Sequence, residues 1–175
     1  MKITVGGSPG SGKTTIATKL ATRFSLTHVS AGMIFRKMAE EKGLHVHEFS
    51  LYCQNDESVD REVDRLQKEL AKEGTVTEGR MAAFMVENPD LKIFLDAPLD
   101  VRVDRIAERE GKSREEVRES TMKRESVDNL RYEKYYGINI YDTKAYDLVI
   151  NTQKWDADGV FAIAEVAVAS LARRP

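Results

Sequence analysis

Residues Gly6–Thr15 read GGSPGSGKTT, in which Gly7, Gly12, Lys13 and Thr14 hold the spacing G-x4-G-K-T. Glycines in this pattern let the backbone turn so that successive N–H groups aim at one point. The helix that follows adds the partial positive charge of its N-terminus. The chemistry suited to such a cradle is the binding of a polyphosphate. Gly7, Ser8, Pro9, Gly10, Ser11, Gly12, Lys13, Thr14 and Thr15 are the candidate ATP-binding residues. Lys13 would reach the β- and γ-phosphates, and the Thr14 hydroxyl would ligate Mg²⁺. A chance glycine-rich turn is the competing reading, and the strand before and helix after weigh against it.

Three further groups could serve a second phosphate. Ser30 and Gly32 form a strand-to-helix turn in SAGMIFRKMAEEKG, with Arg36 one turn into the helix. Glu78, Gly79 and Arg80 follow a third apolar run, and an acid at the C-terminal end of a parallel strand points into the ligand crevice. Glu78 would then hold Mg²⁺ through water across from Thr14, and Arg80 would face the second substrate. Arg105 and Arg109 lie four apart in RIAERE, and Arg124 and Arg131 seven apart in RESVDNLRYEKYYG, so each pair shares one helical side. Each group has a plain alternative: an N-cap with an exposed arginine, a surface turn, a solvated helix laced with ion pairs such as Arg124 with Asp128.

The elements that must position these residues alternate along the chain. Strands are expected at Lys2–Gly6, Thr27–Ser30, Thr75–Gly79, Leu91–Ala97 and Asp147–Asn151. Several are continuously apolar, as strands covered on both faces are. Helices are expected at Lys13–Phe24, Met33–Lys42, Val59–Glu73 and Leu99–Arg109, with a closing helix over Asp156–Arg174. This alternation implies a three-layer α/β fold, a five-stranded parallel sheet with helices on both faces. Gly111–Tyr146 breaks the rhythm, being charged and helix-forming without a strand.

Composition removes other classes. The 27 Lys and Arg nearly balance 29 Asp and Glu, against a bulk basic surface for nucleic acid. The single Cys53 excludes an internal disulfide framework, and His28, His45 and His47 are too scattered for a metal centre. Nothing apolar is long enough to span a bilayer, so a soluble cytoplasmic protein is expected. A guanine-nucleotide switch would carry DxxG after a middle strand, and NKxD. The one DxxG string, Asp156–Gly159, falls too late and NKxD is absent. A small phosphotransferase or a P-loop sensor remains.

The phosphate loop, Ser-Ala-Gly with Arg36, and Glu-Gly-Arg occur in the order that surrounds one crevice. Here the chain resembles the nucleoside monophosphate kinases, and within them the short archaeal-type cytidylate kinases. The resemblance runs on through LKIFLDAPLDVRVDRIAERE, RYEKYYGINIYD and YDLVINT, and so covers nearly the whole chain. Adenylate kinases usually carry Ser-Thr-Gly and Asp-Gly-Phe-Pro-Arg at the corresponding places, which points away from them.

The resemblance implies a P-loop nucleoside triphosphate hydrolase-like fold in one domain. Its core would lie at about 1–110 and 143–175, its monophosphate-binding part at about 30–74 and a helical lid at about 111–142. It implies transfer of the γ-phosphoryl group of ATP to CMP, and to dCMP, with Mg²⁺. The acceptor oxygen is already largely ionised, because the second pKa of a phosphate monoester is about 6, so no general base is needed. Lys13, Arg80, Arg105, Arg109, Arg124 and Arg131 would neutralise the transferring charge. Ser30, Gly32, Arg36, Gly79 and Arg80 would hold the acceptor phosphate, and Thr14 and Glu78 the metal. Asp60 and Asp64 are candidates for reading the cytosine amine, with Arg124 and Asp128 the rival pair. Tyr132, Tyr135 and Tyr136 are expected to pack between lid and body, with stacking on a base the alternative. Trp155 is expected to anchor the last helix, partly buried, with cover over the donor's adenine the alternative. A monomer is expected, with small-molecule partners only. The alternatives are another small-acceptor kinase, of adenylate or shikimate type, and a non-catalytic nucleotide sensor.

Overall fold

A computed structural model of the chain describes residues 1–53 and 56–171. The last residues of the expected closing helix, up to Arg174, lie outside the described residues. Five strands pair side by side: β1 (Lys2–Gly7), β2 (Thr27–Ser30), β3 (Thr75–Glu78), β4 (Leu91–Asp96) and β5 (Leu148–Asn151). Their order is β2-β3-β1-β4-β5, and every pairing is parallel. The helices are α1 (Lys13–Phe24), α2 (Ala31–Glu41), α3 (Val46–Tyr52), α4 (Glu57–Leu70), α5 (Ala82–Met85), α6 (Leu99–Glu110), α7 (Arg114–Tyr136) and α8 (Ala157–Leu171). The α/β architecture expected from strand–helix alternation is the one observed.

The continuously apolar strands are explained by cover on both faces. Ile3, Val5, Leu91, Ile93 and Leu95 point one way, into a core with Ile16 and Leu20 of α1 and Val160, Ala164 and Val168 of α8. Thr4 points the other way and is still fully buried. Phe94 also faces that second side, packing on Ala83 and Tyr146.

α3, α5 and a short 3-10 turn at Thr143–Ala145 are additions to the expected elements. α3 and α5 are only seven and four residues long, too short to show a 3.6-residue stripe. α3 is held from outside: Phe49 is fully buried and its ring lies 4.8 Å from that of Phe35 on α2.

The strandless segment is mostly α7. Gly111, at φ 65°, ends α6, Ser113 caps α7 by accepting from the Glu116 N–H, and Gly137, again at φ 65°, ends it. Its buried positions are Val117, Thr121, Asp128 and Arg131. Val117 packs on Val103, Ile106 and Ala107 of α6. The second half buries charge instead of hydrocarbon, so α7 lacks an apolar stripe. Among the described residues no helix is long and apolar enough to cross a membrane.

Candidate active site

The phosphate loop leaves the C-terminal end of β1 and enters α1 through Gly12, whose backbone is left-handed at φ 97°. A residue with a Cβ would be strained there. Gly7 is needed for space: a Cβ at that position would lie 2.2 Å from the Leu95 carbonyl oxygen. With glycine at the cap, the first N–H groups of α1 keep their capacity for an outside acceptor. Lys13 curls back over the loop, its ammonium donating to the Ser8 carbonyl at 2.8 Å. Burial is the main cause that lowers its pKa to about 7, and Glu78 opposes that shift while Arg80, Arg124 and Arg102 add to it.

Strand register assembles the next part. Ser30 and Glu78 are partners across β2 and β3, and Val5 and Glu78 across β1 and β3. This brings the Ser30 hydroxyl within 2.5 Å of Glu78 Oε1, to which it donates, and Thr14 Oγ1 donates to the same oxygen at 3.1 Å. Ser30 also caps α2, accepting from the Met33 N–H. A buried carboxylate beside two hydroxyls is a hard-oxygen set. It fits Mg²⁺, which usually takes one or two protein oxygens, phosphate oxygens and water. Arg36 is exposed one turn into α2 and reaches back over Gly32, whose missing side chain leaves Arg36 Nη1 3.5 Å from where a Cβ would be.

The remaining charges meet at Asp128 on α7, which is 3% exposed. Arg80 Nη1 ion-pairs with Asp128 Oδ2, and Arg131 Nη2 with Asp128 Oδ1 at 3.0 Å. Arg131 also turns Nε to Asp60 Oδ2 at 2.7 Å, so one guanidinium joins α7 to α4. Ser50 of α3 donates to Asp128 at 3.4 Å. Arg124 lies farther out, its Nε 3.8 Å from Asp128. The charge of Arg80, then burial, pushes its pKa down to about 9. An arginine remains protonated at physiological pH, so that shift expresses repulsion among cations crowded around too few anions. Burial also raises Asp60 to about 6, against the pull of Arg131.

The loop, the strand ends and this cluster line one cavity of about 560 Å³. That is the size of a small-molecule site. All the residues expected to touch ligand except Ser30 line it or lie in the loop beside it. Ser30 is buried behind the lining and donates to Glu78. Arg105 donates to the Thr152 hydroxyl at 2.9 Å and to its carbonyl at 2.7 Å, tying α6 to the segment after β5 at the loop end of the cavity. Arg109 is exposed and pairs with Glu110. Trp155 is 52% exposed on the cavity rim, its half-buried ring set against the start of α8, where a Cβ on Gly159 would lie 3.5 Å from Trp155 Cε3. Tyr132 and Tyr136 pack on Met81, Met85 and Ile140, and the Tyr136 hydroxyl donates to Asp64. Asp128 carries ion pairs to Arg80, to Arg131 and, at 3.8 Å, to Arg124.

Sequence reasoning missed Arg102 and Gln67. Buried Arg102 donates to the Pro9 carbonyl at 3.2 Å and to Glu125 of α7, linking loop and helix. Its partner is 23 residues away, beyond the reach of helical spacing. Gln67 follows Asp60 and Asp64 at i+7 and i+3 on α4, which was the available signal.

Residues 2–154 match the family model described as the cytidylate kinase-like family. The chain belongs to that family. The cytidylate kinase of Pyrococcus horikoshii is 53% identical over 167 residues, covering 95% of this chain and 87% of that protein. That of Methanocaldococcus jannaschii is 46% identical over 176 residues, covering 98% and 99%. Among solved structures, the shikimate kinase from Acinetobacter baumannii in complex with shikimate has a TM-score of 0.63 at 12% identity, covering 99% of this chain and 96% of that one. This is a likeness of fold.

Proposed function

We propose that the protein is a cytidylate kinase, transferring the γ-phosphoryl group of ATP to CMP, with dCMP as a second acceptor. The observation that carries the reading is the convergence of Lys13, Arg80, Arg124 and Arg131 on one cavity between the phosphate loop and Asp128. Cations so crowded gain most from two phosphate groups held face to face.

In this reading the loop N–H groups and Lys13 hold the β- and γ-phosphates. Arg36 and Arg80 hold the acceptor phosphate. An oxygen of that phosphate attacks the γ-phosphorus as the bond to the bridging oxygen of ADP breaks. The charge spreading over the transferred group is met by Lys13, Arg124 and Arg131. Because the acceptor is already ionised near neutral pH, no side chain has to take its proton. Thr14 and Glu78 would hold Mg²⁺, which when bound offsets charge on the phosphate oxygens. Arg105 positions the loop from behind, and Arg109 stands at the donor rim. Asp128 orients Arg80 and Arg131, leaving Asp60 and Asp64 on the base side.

Residues 111–142 would act as the lid, α7 bringing its arginines in and excluding water that could attack ATP. Residues 30–74 would form the acceptor part, in a monomeric cytoplasmic enzyme. Coupled ADP release with CMP, dCMP, UMP, AMP and GMP tests the proposal. Turnover fastest with CMP or dCMP is expected. Faster turnover with AMP overturns the acceptor, and ATP binding without turnover of any acceptor overturns the kinase reading.

A further inference from the structure

Asp60, Asp64 and Gln67 fall at i, i+4 and i+7 on α4, and this face lines the cavity. Gln67 is fully buried, yet neither Oε1 nor Nε2 of its amide has a hydrogen-bond partner among the described residues. Buried amide groups are almost always paired, so one left unpaired in the wall of a ligand cavity is expected to be completed by the ligand. The amide lies at the C-terminal end of β3. A Cβ on Gly79 would stand 3.2 Å from Gln67 Nε2 and 2.7 Å from Ala31 Cβ, so glycine there leaves the space. The next residue, Arg80, belongs to the acceptor-phosphate cluster.

We infer that Gln67 reads the base of the acceptor nucleotide, an assignment that rests on the cytidylate kinase reading above. A primary amide presents an acceptor and a donor side by side. Cytosine presents the complement, an amine donor beside a ring-nitrogen acceptor. The Gln67 carbonyl accepts from the exocyclic amine, and its NH₂ donates to the ring nitrogen. Uracil presents the reverse pattern. The amide can turn over to meet it, but Asp64 shares the face one turn away. Burial raises the Asp64 pKa, while the Tyr136 hydroxyl donating to it favours the charged form, and in that form the carboxylate accepts without donating. Asp64 therefore favours an amine on the ligand and repels a carbonyl. Gln67 and Asp64 together discriminate where either alone would not.

The test is a cycle that removes hydrogen-bonding atoms from protein and ligand separately. Gln67→Met keeps an unbranched chain of similar length and lacks both amide groups, with Gln67→Leu as substitute if the methionine variant unfolds. The ligand arm replaces CMP with its analogue lacking the 4-amino group, and UMP is run in parallel. With wild type, kcat/KM for the analogue is expected to fall about 10- to 100-fold below that for CMP. With Gln67→Met, CMP is expected to fall by about the same factor, the analogue and UMP far less. ATP affinity stays the same, and Tm is unchanged or rises because an unpaired buried amide has gone.

If the variant keeps the wild-type preference for CMP over both comparators, or loses all three equally, Gln67 does not read the base and the kinase reading stands. A fall in Tm with unchanged preference makes the residue structural and likewise overturns the inference. If wild type fails to phosphorylate CMP, the cytidylate kinase reading and this inference fall together.

Discussion

The two ends of the cavity are built by opposite means. The donor end is a continuous stretch, Gly7–Thr15, whose binding groups are chiefly backbone N–H and one lysine. The acceptor end is assembled from side chains on β3, α3, α4 and α7 that are far apart in sequence. Ser50 and Asp128, 78 residues apart, meet there. At the donor end, binding capacity resides in local backbone geometry and adds little charge to the core. At the acceptor end, Asp60, Asp128 and Arg131 are all buried, so the groups that would bind the acceptor also hold the fold together. Mutations at the two ends should therefore separate activity from stability.

The largest contrast is between Lys13 and Arg131. Lys13→Ala is expected to lower kcat on the order of 10³-fold, as loss of transition-state charge stabilisation does. Its Tm should hold or rise, since the ammonium is already disfavoured by burial. Arg131→Ala leaves Asp60 and Asp128 without their shared cation and should cost about 3–5 kcal/mol of stability. Thermal and urea unfolding beside ADP release would read both. A collapse of Lys13→Ala, or a fully stable Arg131→Ala, would erase the distinction.

Arg124→Ala tests whether the contrast follows the end of the cavity or burial itself. Arg124 belongs to the acceptor cluster, but its side chain is 40% exposed. A drop in kcat of about 10²-fold is expected with the unfolding midpoint nearly unmoved and ATP binding kept. A loss of stability matching that of Arg131→Ala would show that the cluster acts as one structural unit.

The donor end should also show its own pH dependence. Lys13 has a pKa near 7 in the free protein, and bound phosphates favour its charged form. Binding therefore takes up a proton. ATP affinity should be full below pH 7 and fall as pH rises above it, by up to about tenfold per unit until the pKa of the complex is reached. Calorimetric titration across pH 6 to 9 checks this, and Lys13→Met should flatten the profile.

The smallest expected effects sharpen the roles on α6. Arg105→Ala removes hydrogen bonds that brace Thr152 beside the loop, and should raise KM for ATP about five- to tenfold while kcat holds. Arg109→Ala, which breaks an exposed pair, should change either constant less than about twofold. An effect on kcat as large as that at Arg124 would return these two arginines to the transferring group.

What could be read in advance divides along the same line. The phosphate loop was readable because its function is a property of nine adjacent residues. Ser30 and Glu78 were readable because each ends a strand, and parallel register then placed them side by side. Partial burial of Trp155 could be read from its place before the last helix, but only the packing shows its ring on the cavity rim. α7 shows no apolar stripe, since its second half buries Asp128 and Arg131. The spacing of Arg124 and Arg131, with Asp128 between them, was the only clue to its inward face.

The sequence by itself determined the alternating α/β frame, the phosphate cradle and the set of cations available. These follow from local pattern, backbone geometry and residue type. Only the tertiary structure decided which charges pair: Asp128 with Arg80 and Arg131, Arg131 with Asp60, Arg102 with Glu125. It alone left the amide of Gln67 unpaired in the cavity wall. Ion pairing in a buried site depends on distance and desolvation, and both are set by how remote elements pack.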